Sequence, residues 1–184
     1  MKTRIHIFAL FFILSFALSS CLTVATKEYT IVFDSNNSGT LTIKYINLIS
    51  QKEDGEDVSE KDYKELIDKY FDGQELEKTY NGATNFRKRL YVENNQLCAE
   101  IKMDFIDLKA IKIFQLNKKS QYIMNLKGLL NSESYVESNG VYAGEEIQLV
   151  LWDRKSKVLT LKTKVTEVDE NCVGLANEYS KHKK

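Results

Sequence analysis

The chain has no proline, and its 184 residues include only two histidines, three cysteines and eight glycines. Without proline there are no PxxP segments and no X-Pro isomerisation, so turns rest on Gly, Asn, Asp and Ser. His6 falls in the apolar start and His182 in the terminal Lys181-His182-Lys183-Lys184, which leaves no histidine between them. That excludes Ser-His-Asp and Cys-His constellations, HExxH zinc sites and histidine proton transfer at neutral pH. Neither charge is in excess, with 26 basic against 26 acidic residues, so there is no electrostatic case for nucleic acid. No catalytic set, metal-ligand set or cofactor motif stands out.

What is present begins with the first 21 residues. Lys2 and Arg4 precede a run, Ile5 to Leu18, that is apolar apart from His6 and Ser15. It is short for a bilayer span and ends in small residues, as a signal peptide does. Leu18-Ser19-Ser20-Cys21 then resembles the lipobox of bacterial lipoproteins at all four positions. The resemblance implies removal of residues 1–20, a thioether-linked diacylglycerol on Cys21 and an acyl group such as palmitate on its amino group. Several acyl chains, each buried methylene contributing about 0.8 kcal/mol, make a lasting anchor to the membrane. Residue 22 is Leu rather than the Asp that retains many lipoproteins at the inner membrane. The expected address is therefore the cell envelope at the outer membrane, on either face. An ordinary cleavable signal followed by a free cysteine is the alternative.

The remaining 164 residues suit one domain. Loss of Lys2 and Arg4 leaves 24 basic against 26 acidic residues, a formal net of −2. The expected organisation is a signal peptide at 1–20, a short lipidated tether at 21–26, a single α+β domain at 27–170 and a polar, basic tail at 171–184. Cys98 and Cys172 either form a disulfide, which an exported protein permits, or remain two small buried thiols.

Tyr29, Ile31 and Phe33 alternate in Lys27–Phe33, and Leu41, Ile43 and Tyr45 repeat the pattern, predicting a hairpin with Phe33 opposite Leu41, Ile31 opposite Ile43 and Tyr29 opposite Tyr45. Asp34, Asn36, Ser38 and Gly39 match the opening spacings of a calcium loop, but the twelfth position is Tyr45, so a Gly-closed turn is expected. Ser59 opens an amphipathic helix through Tyr63, Leu66, Ile67, Tyr70 and Phe71 that stops at Gly73. Leu76–Tyr80 reads as a short strand.

Phe86–Val92 and Leu97–Phe105 form a second hairpin about Asn94-Asn95, setting Val92 against Leu97, Leu90 against Ala99, Arg89 against Glu100 and Phe86 against Met103. Alternation splits Arg87-Lys88-Arg89 between two faces. Asp107 caps a short helix, with Phe105, Leu108 and Ile111 closing one end of the core. Glu146–Trp152 and Val158–Val165 are the third predicted hairpin, Leu151 facing Leu159 and Trp152 packed at an edge. The loop-rich stretch from Gly128 to Gly144 exposes Tyr135 and Tyr142, the expected partner contact.

The reading is an α+β fold, a mainly antiparallel sheet of three hairpins under one amphipathic helix, with a small cup-like barrel as the alternative. The strand, Asp/Ser/Gly turn and strand at Phe33-Asp34 through Ser38-Gly39-Thr40 is similar to LppM-type lipoprotein domains, a resemblance that carries no site residue. The expected role is non-enzymatic: binding an envelope or extracellular protein partner or, as the alternative, carrying a lipid or other apolar ligand. A hydrolase using Asp104, Asp107, Glu145 or Glu146 is the third possibility.

Overall fold

Apolar alternation from Tyr29 to Phe33 builds strand β1 (Leu22–Ser35), which pairs antiparallel with β2 (Ser38–Gln51). The computed structural model describes residues 21–35, 37–129 and 133–183, so the expected signal peptide at 1–20 and Asn36 of the turn lie outside the described residues. Pairing differs from the sequence expectation by two residues. Phe33 lies opposite Gly39, Ile31 opposite Leu41 and Tyr29 opposite Ile43. Ser35 faces Ser38 across a tight turn with Asn37 left-handed at φ 69°. A side chain at residue 39 would approach the Val32 carbonyl oxygen to 2.0 Å, so only glycine fits there.

The expected tether does not form. Leu22 pairs with Ser50 and Val24 with Leu48, so residues 22–26 extend β1 and bury Val24. Ala25 and Asn47 drop out of the ladder, and Asn47 takes a left-handed φ of 61°. Across this kink the inward face changes parity. On β2 it passes from Leu41, Ile43 and Tyr45 to Leu48; on β1 it passes from Val24 to Lys27 and Tyr29.

The second hairpin, β3 (Thr84–Glu93) and β4 (Gln96–Phe105), has Val92, Leu90 and Arg89 opposite Leu97, Ala99 and Glu100 as expected. A bulge between Thr84 and Arg87 replaces the Phe86–Met103 pair. The third predicted hairpin is not formed. β8 (Leu149–Trp152) joins β5 (Tyr122–Asn125) and β7 (Val141–Tyr142) in a small sheet. β9 (Val158–Lys164) instead pairs with β1, Leu159 against Ile31, and with β6 (Ser134–Ser138). The large sheet has the order β3-β4-β2-β1-β9-β6, with β10 (Cys172–Gly174) beside β2. Both sheets are open, so the fold is α+β and the barrel alternative is corrected.

One face of the large sheet carries two cores. Tyr29, Ile31, Ile43, Ile101, Met103 and Leu161 pack against Tyr122, Met124, Val150 and Trp152 of the small sheet. Val24, Leu48, Leu97 and Ala99 pack against α1 (Ser59–Glu65) and the C-terminal helix. Phe105, Leu108 and Ile111 close the first core, and Asp107 Oδ1 caps the 3-10 turn by accepting from Lys109 N–H at 3.0 Å.

Two elements differ from the sequence reading for local reasons. Glu75–Thr79 is helix α2, not a strand, because Leu76 and Tyr80 at i and i+4 share one inward side. The expected tail at 171–184 is β10 followed by α4 (Ala176–His182), the fourth α-helix after the single-turn α3 (Leu126–Leu129). Buried Leu175 and Ala176 anchor it, and His182 stacks on Tyr63 at 5.2 Å, so one histidine does belong to the folded body.

Candidate functional site

Between the two cores the structure leaves a cavity of about 360 Å³. The residues that touch both cores, Tyr45, Tyr70 and Phe71, line it. Leu22, Val24, Leu48, Ala99, Ile101 and Val165 form its sheet wall. Leu66, Tyr70 and Phe71, with Leu76 and Tyr80 of α2, form the opposite wall. Its volume sits in the lower part of the roughly 300–1,000 Å³ range of small-molecule sites.

The amphipathic helix expected from Ser59 to Gly73 changes character at this wall. It is α-helical to Glu65, then π-helical from Leu66 to Phe71, closed by Asp72 N–H donating to the Ile67 carbonyl at 2.8 Å. The wider turn sets Leu66, Tyr70 and Phe71 along the cavity; such turns often sit at functional sites. Ser59 does not cap this helix. Its own N–H donates to Asp57 Oδ1 at 2.9 Å, while Asp62 is buried and accepts from Ser50 Oγ at 2.6 Å.

One end of the cavity is polar. Glu133, only 8% exposed, accepts from Lys27 Nζ at 2.6 Å, from Thr163 Oγ1 at 2.6 Å and from the Tyr29 hydroxyl at 2.9 and 3.0 Å. A buried carboxylate with several charge-assisted donors is a satisfied group. The hydroxyls of Tyr45 and Tyr80 have no hydrogen-bond partner among the described residues. Burial chiefly, and then neighbouring tyrosines and the Glu133 charge, push the phenols of Tyr29, Tyr45 and Tyr80 well above their ordinary pKa. Lys112 also lines the cavity, makes no ion pair among the described residues and lies 5.7 Å over the Tyr80 ring. A cation with no ion pair and two hydroxyls with no hydrogen bond among the described residues, beside an already satisfied carboxylate, form a donor-rich end that suits an anionic or acceptor head group.

The helical wall is held down from the sheet edge. Lys88 Nζ donates to the carbonyls of Tyr70 (2.9 Å), Gly73 (3.1 Å) and Phe71 (3.4 Å) and pairs with Glu77 at 2.9 Å. Alternation places Arg87 and Arg89 on the other face, paired with Asp104 and Glu100.

The sequence-predicted sites fare unevenly. Cys21 is the residue preceding β1, and its carbonyl accepts from Gln51 N–H. Cys98 and Cys172 are both free. The register puts Cys98 level with about Ile46 and Cys172 opposite Gln51, some five residues and about 16 Å apart along β2, too far for a bridge. Tyr135 and Tyr142 are half-buried rather than fully exposed. Their rings stack on each other at 4.1 Å and pack against the first core, tying β6 to β7. Asp104 is engaged by Asn85, Thr40 and Arg87. Among the described residues no three His, Cys, Asp or Glu side chains are placed to hold a metal ion, and no helix is long and apolar enough to cross a membrane.

The sequence reading missed the cavity and its polar end. Two signals bear on it: continuing the Phe33-Ile31-Tyr29 alternation places Lys27 on the core face, and Thr163 interrupts the inward series Leu159, Leu161, Val165. Glu133 carries no periodic signal at all. Comparison with protein-family models, curated proteins and solved structures finds no match for this chain.

Proposed function

We propose that the chain is a lipid-anchored, non-enzymatic protein of the bacterial envelope that binds and carries a small amphipathic molecule with an anionic or hydrogen-bond-accepting head. The observation that carries this reading is the cavity between the two cores, apolar along its walls and rich in donors at one end. An apolar body packs against Leu48, Leu66, Phe71 and Ala99, while Lys112, Tyr45 and Tyr80 meet the head. Leu22, Thr23 and Val24, next to Cys21, also line the cavity. A lipid on Cys21 holds that cavity close to the membrane, where such molecules partition.

The test is mass spectrometry of organic extracts from residues 21–184, carrying Cys21→Ser and purified without detergent. Recovery of a stoichiometric amphiphile, lost when Ala99→Phe fills the cavity, supports the reading. A protein that yields none, and takes up none when offered fatty acids or lysophospholipids, rejects it.

A protein partner is the second reading, favoured by Val136, Val141 and Ile147, which are exposed around the β6–β7 turn and the loop that follows. Replacing all three with Ser abolishes partner capture on that reading and leaves the extracted ligand unchanged.

A further inference from the structure

The end of β1 remote from Cys21 carries a second concavity, of about 520 Å³. Two loops and the hairpin turn build it. Lys118 comes from the stretch before β5, Arg154, Lys155 and Lys157 come from the β8–β9 loop, and Asn37 comes from the turn. Phe33 N–H donates to the Lys157 carbonyl at 2.9 Å, fixing the loop against β1. Phe33 and Tyr122, stacked at 4.7 Å, line it, with Asn37 bonded to Tyr122 and Gln115. None of the four cations has an ion-pair partner among the described residues. The neighbouring acids Asp107 and Asp153 are turned to backbone N–H groups of Lys109 and Lys155, and Asp34 lies at the strand end.

Beside it lies a second depression that shares Asn37, Gln115 and Lys118 and adds Lys109, Ile106 and Phe114. Here large apolar side chains stand in water: Ile106 is 85% exposed, Leu116 82% and Phe114 61%. Protruding apolar residues beside unpaired lysines and arginine are complementary to an anionic bilayer, whose phosphates meet the cations while the apolar groups enter the acyl boundary. We propose that this tip docks on an anionic phospholipid surface, with lipid phosphates seated among Lys118, Arg154, Lys155 and Lys157 and with Ile106, Phe114 and Leu116 inserted. With β1 spanning roughly 43 Å between its ends, the tip is set apart from the Cys21 end and makes a second membrane contact independent of the anchor.

The test is co-sedimentation of residues 21–184 carrying Cys21→Ser with vesicles of phosphatidylcholine alone or mixed with phosphatidylglycerol. The proposal expects binding to the mixed vesicles only, weakened by salt. Arg154→Ser/Lys155→Ser/Lys157→Ser together weaken it about a hundredfold, and Ile106→Ser/Leu116→Ser weakens it about tenfold. All five positions are on loops or in solvent, and unchanged circular dichroism and melting establish that the variants fold. Equal binding to both vesicle types, no binding, or binding that either variant leaves intact overturns the proposal. So does displacement by millimolar inorganic phosphate with no effect of Ile106→Ser/Leu116→Ser, which identifies a free-phosphate pocket instead.

Discussion

Lys27 and Glu133, 106 positions apart in sequence, meet at 2.6 Å on the inward face of the large sheet. The contact ties β1 to the segment entering β6 across β9, and it lies at the polar end of a cavity whose walls are otherwise mainly apolar. An inward lysine is costly unless paired, and here the pair is completed by Tyr29 and Thr163.

Lys27→Met removes the cation and leaves a buried carboxylate with neutral donors only. Because the Lys27 side chain keeps 20% exposure, the expected loss is below the 3–5 kcal/mol of a fully buried pair, at about 2–3 kcal/mol by urea unfolding. Lys27→Met/Glu133→Gln recovers most of that loss, since the amide carbonyl still accepts from Tyr29 and Thr163. A single variant as stable as the parent contradicts the assignment of Lys27 as the partner of Glu133.

Lys88→Ala releases three carbonyls at the end of the π-helical stretch and the carboxylate of Glu77. Hydrogen bonds from a charged donor contribute about 1.5–3 kcal/mol each when broken singly, and they share one donor here, so a loss of about 2–3 kcal/mol is expected. Hydrogen exchange then accelerates at Leu66–Phe71 before it does in β2. Uniform exchange across both elements would show that Lys88 does not hold the wall.

The sequence displayed the strands and helices better than it displayed their partners. Alternation located β8 and β9, yet the pattern that puts Leu159 and Leu161 inward is the same whether β9 pairs with β8 or with β1. Likewise the first hairpin was legible as a hairpin, but its register depended on a turn closed at Ser35 and Ser38, which Gly39 permits by its close approach to Val32. The tail misled because Leu175, Ala176 and Tyr179 are too few to announce a helix beside so many charges; buried Leu175 and the Tyr179 hydroxyl bonded to the Leu90 carbonyl hold it. Trp152 read as an edge residue and is central, its ring Nε1–H donating to Asn139 Oδ1 at 2.9 Å and its face closed by Gly140, where a Cβ would come within 2.7 Å. The cavity was illegible since it depends on where two cores fail to meet, which no periodicity encodes.

The buried phenols set an alkaline limit. Tyr29, Tyr45 and Tyr80 have folded pKa values above their unfolded value of about 10, so their contribution to stability is complete below about pH 10 and is lost as pH rises toward the folded values. Tyrosinate absorbance is expected to rise in more than one stage, with these three ionising only on unfolding. Tyr45→Phe flattens the fall in stability above pH 10. A single titration of all ten tyrosines near pH 10, with the fold intact, contradicts this.

The most direct measurement of the central claim is fluorescence titration of residues 21–184, carrying Cys21→Ser, with the neutral apolar probe N-phenyl-1-naphthylamine, competed by a long-chain fatty acid and repeated with Ala99→Phe and Lys112→Met. The cavity predicts one saturable site, lost in Ala99→Phe; with Lys112→Met the probe still binds, while the fatty acid competes about tenfold less well. No saturable binding, or binding that Ala99→Phe leaves unchanged, contradicts a ligand site between the two cores.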